Sequence, residues 1–150
     1  ATLLATVAKE KGISLCGITP EQTEANLQGE GGRRMGPVDA ILVASDLVVR
    51  GELTSLNLSF NKLTNDGQDF SGVKELASAL ANNGALTELN LYENSIKDEG
   101  VTAVCEAIQS NKETKLASLN IADNGIGPVG AKSVAAMVAV VGALTEVLAR

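Results

Sequence analysis

Apolar residues in the second half of the chain recur in one spaced block, Leu53-x-x-Leu56-x-Leu58-x-x-Asn61-x-Leu63. The block returns at Leu86, Leu89, Leu91, Asn94 and Ile96, and again at Leu116, Leu119, Ile121, Asn124 and Ile126. A fourth copy opens with Leu144 and Val147 and runs to Arg150. The starts lie 33, 30 and 28 residues apart. Leu56 and Leu58 alternate with Asn57, which predicts a short strand with one buried face. Asn61, Asn94 and Asn124 fall where the chain must turn out of that strand. An amide there can bond backbone groups otherwise left unpaired, so the three read as a structural ladder.

A helix is predicted after each turn. Counting on from Gly72, Gly100 and Gly130, apolar residues fall at helical spacing. They are Val73, Leu76, Ala77 and Leu80; Val101, Val104, Cys105 and Ile108; and Ala131, Val134, Ala135 and Val138. Cys105 shares the small-residue position of Ala77 and Ala135, which reads as a packed thiol. The first copy carries an extra loop, Asn65 to Ser71, with Asp66-Gly67 as its turn.

The N-terminal third is a degenerate relative of these copies. Gly36 to Gly51 aligns without a gap on Gly127 to Gly142, which places Pro37 and Pro128 in the first helical turn. Ala25-Asn26-Leu27 stands in for the strand, and Gly32-Arg33-Arg34 reads as an insertion in the turn. Further upstream a helix is expected over Thr2 to Lys11 and a strand over Ile13 to Gly17. The link from Ile18 to Gln22 is too short for a crossover helix. The first strand is therefore expected to pair antiparallel with the second and cover the sheet edge.

The motif L-x-x-L-x-L-x-x-N-x-L, with a helix after each turn, resembles the leucine-rich repeat. Repeat length, strand motif and helix glycine are similar to the ribonuclease-inhibitor-like class, which also forms the sensor ends of NOD-like receptors and the Ran GTPase-activating protein. Residues 1–50 also resemble the start of repeat-bearing proteins of unicellular algae and other protists. The likeness covers residues 23–150; it departs from the class in the N-terminal helix and hairpin, and at Leu148, where an Asn is expected. It implies an α/β leucine-rich-repeat solenoid, a short right-handed horseshoe with a parallel sheet inside and helices outside. One structural domain is expected: a helix and strand cap over 1–22, a degenerate repeat over 23–52, repeats over 53–85, 86–115 and 116–143, and a partial one over 144–150.

Composition narrows the chemistry. The chain has 150 residues, 45% apolar but only 2% aromatic, so Leu, Val, Ile and Ala must build the core. It has no His, which excludes a Ser-His-Asp or Cys-His nucleophile and any His-containing zinc site. Twelve Lys and Arg against eighteen Asp and Glu give a net charge of -6, which argues against nucleic acid as a partner. Arg33-Arg34, with Lys9 and Lys11 upstream, reads as solvated surface. The two cysteines, Cys16 and Cys105, read as free thiols, and an intracellular site is favoured. The start, Ala1 to Ala5, lacks the order of a secretory signal, and the absence of an initial Met reads as a processed chain or a piece of a longer one. The longest charge-free apolar run, Ser133 to Thr145, falls short of the roughly 20 residues that span a bilayer.

Gly125-Ile-Gly127-Pro-Val-Gly130 matches a dinucleotide fingerprint literally, but the repeat explains it better. Gly130 is the helix glycine shared with Gly72 and Gly100, and Pro128 removes an N–H that a phosphate would use. Asp66, Asp69, Asp98 and Glu99 do not follow an EF-hand spacing and read as acids at helix N-termini. Asp46 and Glu106 lie on helices without a paired carboxylate. No catalytic residue, metal site or cofactor is expected.

A protein partner is expected instead. The outward strand residues should form columns: Thr54, Thr87, Ala117, Thr145; Ser55, Glu88, Ser118, Glu146; Asn57, Asn90, Asn120; Ser59, Tyr92, Ala122; and Phe60, Glu93, Asp123. This concave surface is polar to acidic and suits a basic partner, with Phe60 and Tyr92 as candidate anchors. Packing under the turn as ordinary core is the other reading of Phe60. The second candidate surface is apolar: Ala136, Ala139 and Val140 on the last helix, with Leu148 on the last strand. Helix residues Ile41, Leu42, Val48 and Val49 form a similar patch, which Leu3, Leu4 and Val7 are expected to cover. A further repeat, a second copy or another subunit would close the uncapped C-terminal edge. The leading function is a non-catalytic interaction module. An accessory subunit of a larger, membrane-bound or photosynthetic assembly and a GTPase-activator-like regulator are the alternatives.

Overall fold

The computed structural model describes residues 1–150. Helix α1 (Thr2–Lys11) precedes five strand–helix units: β1 (Glu24–Asn26), α2 (Pro37–Val49), β2 (Ser55–Asn57), α3 (Ser71–Leu80), β3 (Glu88–Asn90), α4 (Lys97–Ser110), β4 (Ser118–Asn120), α5 (Pro128–Val140) and β5 (Glu146–Leu148). The strands form one parallel sheet in the order β1-β2-β3-β4-β5. Leu56, Leu89, Leu119 and Val147 lie side by side in register, with Ala25 beside Leu56 at the first strand. Their side chains point away from the concave face and meet the helices in one core of leucine, valine, isoleucine and alanine. No helix is long and apolar enough to cross a membrane.

Glycine sets the spacing between helices. A Cβ on Gly72 would lie 2.3 Å from the Pro37 carbonyl oxygen, and one on Gly100 would lie 3.3 Å from Val73 Cγ1. Pro37 and Pro128 open α2 and α5, after Gly36 and Gly127 in nearly identical extended conformations. The extra loop in the first copy turns through left-handed Asn65, Asp66 and Gly67.

The N-terminal segment departs from the sequence expectation. Residues 13–17 form no strand, and β1 has only β2 as a neighbour. The reason is Asp46, fully buried on α2. Its carboxylate accepts from Ser14 Oγ at 2.6 Å, Leu15 N at 2.9 Å and Cys16 N at 3.0 Å. Backbone donors in this segment thus serve a side chain. Arg50, also buried, donates to Ile18 O and Gly12 O, each at 3.1 Å. The free edge of β1 is blunted locally, where Gln22 Nε2 donates to Glu24 O at 2.6 Å.

Helix α1 also uses a different face from the one expected. Ala5 and Ala8 are buried against α2, and Ser45 Oγ donates to Ala5 O at 3.1 Å. Small side chains let the two backbones approach, so Leu3, Leu4 and Val7 are left outside; Leu3 is 79% exposed. Val48 stays exposed as well.

The last helix holds the other correction. Val73, Leu76, Val101, Val104, Cys105 and Ile108 are buried, yet their counterparts Ala131, Ala135 and Val138 are exposed and Val134 is half-buried. Those positions face the next helix along the coil, and α5 has none beyond it. Met137 is the fully buried side chain of α5 instead.

Candidate functional site

The strand registers build the concave surface. One row runs Glu24, Ser55, Glu88, Ser118, Glu146, and the next runs Asn26, Asn57, Asn90, Asn120, Leu148. Glu24 and Asn26 extend the expected columns by one strand. The sequence columns began at β2, since the degenerate first repeat has Ala25 where later copies have leucine. Acid and serine alternate strictly along the first row. The serines orient the acids: Ser55 Oγ donates to Glu88 Oε2 at 3.4 Å and Ser118 Oγ to Glu146 Oε2 at 3.0 Å. Residues of both rows line a shallow groove of about 350 Å³.

The asparagine row is polarised by its own backbone. Each Oδ1 accepts the N–H two residues on: Gln28 for Asn26, Ser59 for Asn57, Tyr92 for Asn90 and Ala122 for Asn120. Asn57 Nδ2 reaches Gln28 Oε1 at 3.4 Å, whereas Asn90 and Asn120 keep their amide donors unbonded within the protein. The face therefore offers N–H donors beside carboxylate acceptors.

At the strand exits, Phe60, Glu93 and Asp123 all take left-handed conformations, with φ of 58°, 52° and 52°. Acidic residues fill two of these turns, and the bulky Phe60 fills the third at a steric cost. Its ring packs edge-on against Tyr92, with centroids 5.1 Å apart and planes at 75°. Both rings are half-exposed, so Phe60 is not packed beneath the turn. Tyr92 in turn hydrogen-bonds the Asp123 carboxylate, which raises its phenol above the usual value, and the charge of Glu93 adds to the shift.

Behind this rim, Asn61, Asn94 and Asn124 are buried. Asn94 Nδ2 donates to Leu58 O at 2.8 Å and Leu91 O at 3.2 Å, and Asn124 Nδ2 to Leu91 O at 2.8 Å and Ile121 O at 2.9 Å. Asn61 does the same for Leu27 O and Leu58 O. Each amide ties its own strand exit to that of the preceding repeat. A second buried amide, Asn111, plays the same part on the other side, donating to Leu80 O at 2.8 Å and Asn83 O at 2.7 Å. Sequence reading missed Asn111. Its signal was an Asn shortly after a helix end, shared with Asn83.

A family model described as Leucine Rich repeat matches residues 53–67, 83–105 and 112–135. The chain carries leucine-rich repeats over these residues. Such repeats generally mediate protein–protein interaction, and proteins built of them are typically non-catalytic. No curated protein matches the chain.

The other candidate chemistry in this repeat-bearing chain resolves into structure. Asp98 Oδ1 accepts from Gly127 N at 2.5 Å, and a Cβ on Gly130 would lie 2.6 Å from the same oxygen. The glycines of 125–130 thus admit the protein's own carboxylate at the start of α5. Asp66 pairs with Lys62 at 2.9 Å, and Ser71, through its side chain first and its backbone N–H second, lowers the Asp69 pKa. Arg33 and Arg34 are exposed on a turn where Glu30 and Arg33 bridge. Cys16 and Cys105 are both free. Burial, then the charge of Asp46 and of Asp39, pushes the Cys16 thiol up to about 12; burial, then Glu106, does the same for Cys105. Neither thiol is activated.

Of the apolar candidates, Ala136, Ala139, Val140 and Leu148 are all exposed. Ala136 and Val140 match Glu106 and Ser110, positions that face solvent in the preceding repeat as well. The surface peculiar to the C-terminal edge is Ala131, Ala135 and Val138, with Leu148 beside it.

Proposed function

We propose that this repeat-bearing chain is a non-catalytic interaction module whose concave face holds an extended, basic segment of a partner protein. The observation that carries the reading is the Glu24–Ser55–Glu88–Ser118–Glu146 row beside the asparagine amides. Acids two strands apart repeat at about 10 Å, close to the ~9.3 Å turn of an extended polyproline-II peptide, which returns every third side chain to the same face. Lys or Arg at every third position would meet Glu24, Glu88 and Glu146 in turn. The free amides of Asn90 and Asn120 would bond the peptide carbonyls between them. Phe60 and Tyr92 supply an apolar anchor at one rim, and Glu93 and Asp123 extend the acidic field there. The net charge of -6 draws such a partner from a distance. The repeat lengths and helical outer layer are in keeping with the ribonuclease-inhibitor-like class.

Selection of peptides from a random display library on the 150-residue chain tests the reading. The expected consensus is basic, with Kd raised at least tenfold by Glu88→Lys. Phe60→Asn is the second variant. Asn tolerates the left-handed turn, so relief of strain offsets the lost stacking and stability changes by less than about 1 kcal/mol. Binding should still fall. Peptides without basic bias, or binding indifferent to both variants, would remove the concave face as the site.

A further inference from the structure

The strand-exit rim of the concave face carries more than an apolar anchor. Phe60 N donates to Tyr92 O at 2.9 Å and Glu93 N to Ala122 O at 3.1 Å, so three successive turns of the coil meet there. The Phe60 and Tyr92 rings stand at 75° with centroids 5.1 Å apart, and form two walls of a corner. Both rings are half-exposed. Ala122, beside Tyr92 in its row, offers only a methyl to the space next to that ring. Two carboxylates border the corner: Asp123, hydrogen-bonded to Tyr92, and Glu93, whose charge is felt at the phenol. The ion pairs of the chain are Lys62–Asp66 and Lys74–Glu99, so neither acid is neutralised from within. Arg150, one strand further along the row, is exposed and pairs with neither.

We infer that this corner takes the guanidinium of an arginine on the partner segment in preference to a lysine, which rests on the concave face holding a basic segment as proposed above. Ring faces attract a cation, and a guanidinium is planar, delocalised and weakly hydrated, so it stacks on a ring at small desolvation cost. Its edge still carries N–H donors for a carboxylate beside the ring. Phe60 and Tyr92 supply the faces, and Glu93 and the remaining lone pairs of Asp123 supply the acceptors. Lysine matches the site less well. Its compact ammonium is strongly hydrated and has no plane to lay on a ring while it bonds an acid. The reach fits as well. Tyr92 lies two residues beyond Asn90, roughly 7 Å along the strand direction. A polyproline-II segment over the acid row turns every third side chain to the acids and sends the residues between them to its flanks. An arginine at one of those flanking positions spans the gap, with its methylene stem against the rings.

Proton NMR of the 150-residue chain tests this, because its aromatic side-chain signals come from Phe60, Phe70 and Tyr92 alone. N-acetyl-arginine methylamide at millimolar concentration should shift the Phe60 and Tyr92 ring protons and leave Phe70 in place. N-acetyl-lysine methylamide at the same concentration should shift them less than about half as far. The second probe is a short peptide with lysine at every third position and alanine elsewhere, into which arginine is placed at each alanine in turn. At one position arginine should bind about tenfold tighter than lysine does there. Tyr92→Leu should reduce that preference to less than about twofold, as should Glu93→Gln, which leaves both rings in place. Ring shifts equal for the two amides, or absent for both, would overturn the inference. So would an arginine preference at no position, or one that survives both variants. A lysine peptide that is lost with Glu88→Lys but gains nothing from arginine keeps the groove and removes the rim site. Ring shifts selective for arginine, with a lysine peptide indifferent to Glu88→Lys, keep the rim site and remove the groove.

Discussion

Helices α2 and α5 begin alike and end differently. The segments Gly36 to Gly51 and Gly127 to Gly142 align without a gap, share a proline in the first turn, and adopt the same backbone at their start. Yet α2 buries Ala40, Val43, Ala44, Ser45, Asp46 and Leu47, while α5 buries only Gly130 and Met137. Asp46 and Met137 are aligned, and both face the preceding turn of the coil. In α2 the carboxylate reaches outward and gathers Ser14, Leu15 and Cys16 into a cover. In α5 the thioether meets the apolar core there, where the preceding turn is a full repeat. One polar side chain thus marks the turn that packs against a loop and not against a repeat.

The sharpest break of this comparison gives α5 the residue of α2. Met137→Asp buries a carboxylate with no donors around it, and a loss of about 4 kcal/mol is expected by urea denaturation. The reverse change comes next. Asp46→Ala should cost about 3 kcal/mol, because the Leu15 and Cys16 N–H groups lose a charged acceptor. Hydrogen exchange of residues 13–18 should accelerate in that variant, and a protected segment would mean that the clasp is not what holds it.

The thiols give a smaller, pH-dependent contrast. Folding raises both from 9.0 to about 12, so their neutral forms stabilise the fold fully below pH 9. That contribution is lost as pH rises from 9 to about 12. Urea midpoints should fall across this window, less steeply in Cys105→Ala. In Asp46→Ala, Cys16 should become the faster thiol toward a disulfide reagent, since both its cover and its neighbouring charge are gone. Smallest of all, Leu4→Lys and Val138→Lys should each change the stability of the fold by less than about 0.5 kcal/mol, since both sites are already solvated.

How much of this was legible depended on periodicity. The spaced leucines gave β2 to β5 and the neighbouring positions of Leu56, Leu89 and Leu119, because burial repeats with the coil. The turn asparagines stood out for the same reason. Asp46 did not, because its partners lie 30 to 32 residues away in a segment that occurs once. The strand expected over Ile13 to Gly17 failed there: local β-propensity was read without knowing that the backbone donors had another acceptor. The inner face of α5 was misread in the opposite sense. Its pattern of Ala131, Ala135 and Val138 copies that of buried helices, but burial needs a neighbour that local pattern alone cannot supply. At the concave face the rows were readable from strand spacing. The polarised amides and the edge-on contact of Phe60 with Tyr92 needed coordinates, since both depend on side-chain direction.

The turn amides have a consequence for how the molecule comes apart. Asn61, Asn94 and Asn124 each clamp two successive strand exits, so the inner coils melt only as a cooperative set. Replacing any one of them with a side chain that lacks the amide loosens two neighbouring turns of the coil at once, its own and the one before.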